Sequence, residues 1–292
     1  MPALRALDAG KLRSAASALA SAYPGDGATL WRAPTPDRLA DTHLLATAEA
    51  QPTDAEWDEH VHAVCATDDP AVAEHATRVL TRALTTPGAR HRHAVGLRRL
   101  LGSITSLVRA CPAYLPPLAR IDPVRFRDLI VEQVALAPSA TVAELAADLT
   151  GPTTSRLAIA VAVARRRAAD DPRHLAGLSA RLAEAGDLPA ALDAAERAVA
   201  LVTDPDDRAS AHTALCHRLA EHDRPAEALT AARTAADLRS AAPPAVRGFA
   251  QHNLALRLTD AGHPDEAVDA AAEAVDLLLA AGGQHRPGSP PR

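Results

Sequence analysis

The densest group of side chains able to hold a metal is His60-Val61-His62 with Cys65, preceded by Glu56, Asp58 and Glu59. Imidazole and thiolate are zinc ligands, and a structural site needs about four of them in tetrahedral array. Successive helical residues turn by about 100°, so His60 and His62 point roughly 200° apart and cannot meet one ion. His62 and Cys65 could share a face, but two ligands do not make a site. The reading adopted is an exposed acidic helix with Val61, Val64 and Cys65 near its apolar side, and no metal is expected.

A second group is basic. His91-Arg92-His93 and Arg98-Arg99 fall within a stretch, His75 to Ile121, that carries eight arginines and no acid. These side chains could contact phosphate or an acidic partner. No aromatic residues interleave to stack bases, however, and no nucleic-acid module is recognisable. A solvated helix face is preferred. Arg165-Arg166-Arg167 close a helix whose C-terminal dipole favours cations, so they need no ligand.

Covalent and cofactor chemistry leave no trace. There is no G-x-S-x-G, no H-E-x-x-H, no Cys/His pair with a supporting carboxylate and no dinucleotide fingerprint. The one lysine, in Ala9-Gly10-Lys11-Leu12, has leucine where a phosphate loop needs a hydroxyl. No catalytic residue, cofactor or small-molecule substrate is therefore expected. Net charge is −5 and aromatic content 2%, which makes no overall case for nucleic acid. Cys65, Cys111 and Cys216 lie far apart, as in a reducing compartment. The longest apolar run, Leu157 to Ala164, is far too short to span a membrane. No secretory signal is visible, so a cytoplasmic protein without membrane contact is expected.

What positions the remaining polar groups is a repeat. Arg181-Leu182-Ala183-Glu184 falls on Arg218-Leu219-Ala220-Glu221 and then on Arg257-Leu258-Thr259-Asp260, at offsets 218 − 181 = 37 and 257 − 218 = 39. A break follows each time, at Gly186-Asp187, Asp223-Arg224 and Gly262-His263. Then come Ala191, Ala228 and Ala267, with a further alanine at Ala198, Ala235 and Ala274. One such helix-turn-helix unit cannot bury its apolar face alone and must stack on neighbours.

The pattern resembles the tetratricopeptide repeat (TPR), W-x2-L-G-x2-Y followed by A-x3-F and P. The first helix supplies Leu178, Ser179 and Leu182; Leu215, Cys216 and Leu219; Leu254, Ala255 and Leu258. Cys216 thus fills a small-residue packing slot and is a core residue, not a nucleophile. Ala191-x3-Ala195, Ala228-x3-Ala232 and Ala267-x3-Ala271 keep the alanine and lose the aromatic. The Trp slot holds Leu175, His212 and Gln251, and the closing proline is displaced to Pro205 and Pro243. The resemblance implies a concave groove lined by the first helices. By register its positions include Ala176, Gly177, Ala180 and Glu184, then Thr213, Ala214, His217 and Glu221, then Phe249, His252, Asn253, Leu256 and Asp260. Asn253 holds a place where TPR asparagines bond a partner's backbone. Glu184, Glu221 and Asp260 form a row of acids that would favour a basic or polar protein segment.

Elsewhere the chain reads as helices punctuated by proline. A helix is expected over 2–22, and Thr35-Pro36 starts another. Thr53-Asp54-Ala55-Glu56 is a capping box opening a helix to about Ala66. Asp69-Pro70 begins the next, which ends at Thr86-Pro87-Gly88. Residues 89–110 read as one arginine-rich helix, Pro116-Pro117 as an interruption, and Asp122-Pro123 as the start of a helix to about Ala137. Residues 141–149 and 155–169 follow. No stretch alternates as a strand does. The expected fold is all-α, an α-solenoid of helical hairpins with a C-terminal TPR array. Its regions are 1–170 (stacked helices), 171–281 (three TPR-like units, net charge 10 − 19 = −9 over 170–281) and 282–292 (a disordered tail).

Tyr23-Pro24-Gly25, Trp31 and Pro36-Asp37-Arg38-Leu39-Ala40-Asp41 are similar to a helical stretch in bacterial signal-transduction NTPases of the STAND type. There such a stretch lies between the nucleotide-binding module and TPR repeats. The resemblance implies a sensor half without its NTPase. The expected function is therefore a non-enzymatic protein-interaction scaffold. The alternatives are that detached sensor half, acting in signal transduction, and nucleic-acid binding through the arginine-rich segment.

Overall fold

The computed structural model describes residues 38–85, 89–149 and 156–283. The helix expected at 2–22, the Thr35-Pro36 start, the Tyr23-Pro24-Gly25 and Trp31 motif and the tail beyond Gly283 lie outside them. All regular structure among the described residues is helical. The chain divides into two compact units, Met1–Asp122 and Pro123–Arg292.

In the first unit, α1 (Arg38–Ala50), α2 (Asp54–Cys65) and α3 (Pro70–Leu84) precede a short α4 (Ala89–Arg92), α5 (Ala94–Ala110) and α6 (Leu115–Ile121). The Thr53 capping box forms as expected, with both Thr53 and Glu56 bonded reciprocally to backbone N–H groups. Asp69 caps α3 through the Ala71 N–H. Leu45, Leu80, Leu100, Ile104, Leu107 and Leu118 are buried. The packing of α5 against α1 depends on Gly96, because a Cβ there would overlap the Leu45 carbonyl oxygen.

Three local expectations change. Residues 89–110 are two helices, broken at His93, whose Nδ1 meets the Glu49 carboxylate at 2.8 Å. Pro116 and Pro117 do not interrupt a helix but lie in the first turn of α6, where a missing N–H costs nothing. Val64 is exposed, although Val61 one turn earlier on α2 is buried.

The second unit opens with α7 (Arg127–Val134), α8 (Ser139–Asp148) and α9 (Leu157–Asp170) around Ile130, Val142, Leu145 and Ile159. Asp122-Pro123 is thus not a helix start; residues 123–126 form turns that bury Phe126. Three hairpins follow: α10 (Leu175–Glu184) with α11 (Leu188–Leu201), α12 (Pro205–Glu221) with α13 (Pro225–Leu238), and α14 (Pro244–Asp260) with α15 (Pro264–Gly283). The second helices of the first two hairpins, α11 and α13, also pack on the next hairpin's first helix. The array is an α-solenoid of stacked hairpins, and its alanines explain the close stacking. Ala191, Ala195, Ala198 and Ala228 are fully inaccessible, and Ala232 and Ala235 nearly so.

The three inter-helix turns share one geometry. Gly186 and Gly262 have φ of 81°, and Asp223 between them in register has φ of 55°. The next residue's N–H reaches back to a leucine carbonyl, Asp187 to Leu182 at 2.9 Å, Arg224 to Leu219 at 3.0 Å and His263 to Leu258 at 2.9 Å. This is the Schellman closure, whose left-handed position favours glycine. Asp223→Gly therefore stabilises the second unit by about 0.5–1 kcal/mol. A calorimetric midpoint raised by roughly 2–4 °C is the expected reading, and a lowered midpoint contradicts it.

Candidate partner-binding face

The first helices of the hairpins carry all the expected groove residues. On α14, Phe249 and Leu256 are 60% and 44% exposed, and His252 lies exposed between them. Their spacing of three and four residues puts them on one face. Asn253 sits beside them, half-buried, with its side chain near His217 of α12. Burial holds the His217 imidazole below the usual histidine value, opposed by the neighbouring Asn253 and Glu221. The polar side chains of His217 and Asn253 thus come together between α12 and α14.

The row of acids is present but not free. Glu184 meets Arg181 at 2.8 Å, Glu221 meets Arg218 at 2.8 Å and Asp260 meets Arg257 at 3.0 Å. Each arginine also sits between elements. Arg181 donates to the Leu149 carbonyl at 3.3 Å, and Arg218 donates to the Ser179 carbonyl of α10 at 3.2 Å. The Nε atoms of Arg218 and Arg257 are buried without a hydrogen-bond partner. His217, Arg218, Ala220, Glu221 and Arg257 line a shallow cleft between α12 and α14. These three arginines are residues that attention to the acids missed. Their signal was in the sequence, as the first letter of each repeated Arg-Leu-x-acid tetrapeptide. Of the other groove positions, Gly177 and Ala180 are exposed, whereas Ala176, Thr213 and Ala214 are half-buried.

The other chemical candidates are absorbed by packing. His60 Nδ1 contacts the Glu56 carbonyl at 2.8 Å, and His62 Nε2 contacts Ser106 Oγ at 2.7 Å. The two rings serve different neighbours. In the arginine-rich segment, Arg82 pairs with Asp41 at 2.9 Å, Arg120 with Glu74 at 2.6 Å and Arg98 with Asp54 at 3.5 Å. Arg99 is nearly inaccessible. It binds Asp54 at 2.7 Å and donates to the Ala48 and Gln51 carbonyls at 2.6 and 2.8 Å, closing the C-terminal end of α1. Its guanidinium also holds the Asp54 carboxyl below the ordinary aspartate value. Arg99→Gln is expected to cost about 2 kcal/mol, because charge-assisted bonds to one helix end are lost together. Chemical denaturation that leaves the midpoint unmoved would refute this structural role. In the Arg165-Arg166-Arg167 run, Arg166 pairs with Asp170, and Arg165 lies 4.0 Å from Asp187. Burial raises the Cys216 thiol to about 11, as suits a core thiol.

Three stacked hairpins, left-handed closures in register and buried alanine slots are together decisive for the architecture. The array is TPR-like. No protein-family model and no curated protein matches the sequence. Among solved structures, a crystal structure of MamA is similar at 18% identity and a TM-score of 0.38, covering 64% of this chain and 95% of that one. A second structure of MamA gives 17%, 0.39, 66% and 92%. BtubC (BKLC) from P. vanneervenii gives 16%, 0.39, 87% and 96%. Likenesses of that size carry no inference about function. No helix among the described residues is long and apolar enough to cross a membrane.

Proposed function

We propose that this chain is a non-enzymatic interaction scaffold that holds a protein segment on the exposed face of α12 and α14. The observation that carries this reading is the side-by-side exposure of Phe249, His252 and Leu256 over a rigid helix pair. One of only two phenylalanines in the chain is thereby left in solvent, where a buried aromatic anchor would supply most of the binding energy. Glu184, Glu221 and Asp260 favour basic residues at the edge of the bound segment. Since each already holds an arginine, their part is selection of the partner more than affinity. The reading of the chain as the sensor half of a STAND-type switch rests on sequence similarity, most of it outside the described residues.

The test is selection of a random peptide library on the purified chain. Binders with an apolar anchor and a basic flank are expected. A Phe249→Ser/Leu256→Ser variant should lose them by about tenfold or more, with its thermal midpoint within about 2 °C of the parent because both side chains are already exposed. Binders indifferent to this variant, or no binders at all, would sink the groove reading.

A further inference from the structure

The outer face of α15 is apolar and uncovered among the described residues, and the repeat register suggests what kind of element fits it. Leu192 on α11 packs against Cys216, Leu219 and Ala228 of the next hairpin. Leu229 on α13, 37 residues on, is 5% exposed and packs against Ala255 and Leu258 of α14. Val268 on α15 occupies the same register 39 residues later, yet it is 68% exposed. Val275 and Leu279, seven and four residues further along, are 55% and 69% exposed. Ala271 and Ala272 are exposed between them. A helix that caps a solenoid presents a polar outer face. This one presents a continuous apolar stripe.

Charge limits the occupant. The α15 sequence holds five acids and no lysine or arginine. Two of the acids are used inward, Glu266 by Arg233 at 2.8 Å and Glu273 by Arg247 at 3.4 Å. The other three, Asp265, Asp269 and Asp276, are exposed. At about 100° per residue they lie along one edge of the stripe. None of the three is ion-paired among the described residues. A second copy laid antiparallel on this face would set its three aspartates beside these, which like-charge repulsion opposes. Residues 284–292 contain no leucine to fill the socket.

We infer that the outer face of α15 docks an amphipathic helix of another polypeptide, one with a Leu-small-x-x-Leu stripe and basic residues along its edge. The covering helices within the array have that stripe, as Leu215-Cys216-x-x-Leu219 and Leu254-Ala255-x-x-Leu258. The lysines or arginines answer Asp265, Asp269 and Asp276. This site is separate from the α12 and α14 face and stands whether or not that face binds a partner.

The probe is a fluorescent, hydrocarbon-stapled peptide with the α14 sequence, Pro244–Asp260, in which Gly248, His252 and Thr259, along one edge of the Leu254-Ala255-x-x-Leu258 stripe at about 100° per residue, are replaced by lysine. A matched peptide carries glutamate at those positions. Stapling is needed because so short a helix is marginal alone. Anisotropy with the full chain should show saturable binding of the lysine peptide, weaker binding of the glutamate peptide, and loss of affinity with added salt. Val268→Ser/Leu279→Ser should weaken binding by about tenfold or more. Asp265→Asn/Asp269→Asn/Asp276→Asn should remove the preference for lysine. The Phe249→Ser/Leu256→Ser chain should bind the peptide unchanged, which separates this site from the groove. The inference is overturned if the Val268→Ser/Leu279→Ser chain binds as well as the parent, or if neither peptide binds. It is equally overturned if sedimentation shows a dimer that those same two substitutions dissolve.

Discussion

The Ala228→Trp variant melts far below the parent, whereas Ala180→Trp melts beside it. Ala228 is completely inaccessible at the crossing of α12 and α13, packed with Cys216, Leu219 and Ala232. An indole there has no room unless the two helices part, and parting them also strips Leu192 and Leu254 of cover. Overpacking of this kind costs about 3 kcal/mol, roughly 10 °C in a unit of this size. Ala191, equally inaccessible between α10 and α11, should respond in the same way. The control is Ala180, because Ala176, which the register assigned to the groove, is half-buried. Differential scanning calorimetry of the three variants decides the matter. Equal midpoints would mean that the hairpins do not cross at these alanines.

Gly96→Val is expected to be of similar size in the first unit. No left-handed backbone is involved; the constraint is the approach of α5 to the Leu45 carbonyl, which belongs to rigid helical backbone. A flexible side chain could swing aside, as the end of Leu278 can beneath Gly248, but a carbonyl in the middle of α1 cannot. The helices must separate around Leu45, Leu100 and Ile104, at about 2–3 kcal/mol. Gly96→Ala should already show a clear part of the loss, and Gly102→Ala, with open space at its Cβ, none of it. Urea unfolding monitored by circular dichroism separates these outcomes, since a denaturation midpoint that falls at constant slope reports lost stability. Identical curves for the substitutions at Gly96 and Gly102 would show that the close approach is not made.

Together the two expectations show how little slack an alanine-rich core has. With aromatic content of 2%, the array relies on backbone proximity, and each small residue sets a spacing between helices. The same composition bears on function. A chain with so few large side chains leaves Phe249 and Leu256 exposed on one helix, and Val268, Val275 and Leu279 on the next. Exposed large apolar groups clustered in this way are the basis of both proposed contact surfaces. The arginine-rich segment, by contrast, offers less than its composition promised. Arg82, Arg98, Arg99 and Arg120 each hold a carboxylate of the same unit. Removing Arg99 to test nucleic-acid binding would therefore confound binding with stability.

What the sequence by itself determined was the helical character, the repeat register and the positions of the tight turns. These are local matters. The period of 3.6 residues decides which leucines share a face, and Thr53 with Glu56 caps a helix wherever it lies. Gly186, Asp223 and Gly262 mark left-handed closures within six residues of backbone. Tertiary structure alone decided which charges are free and which apolar residues are covered. Arg99 and Asp54 are 45 residues apart and Arg218 and Ser179 are 39 apart, so their contacts depend on how helices cross, which no local pattern encodes. Leu229 and Val268 show the same division. Their register is identical, but burial requires a neighbour, and only Leu229 has one among the described residues.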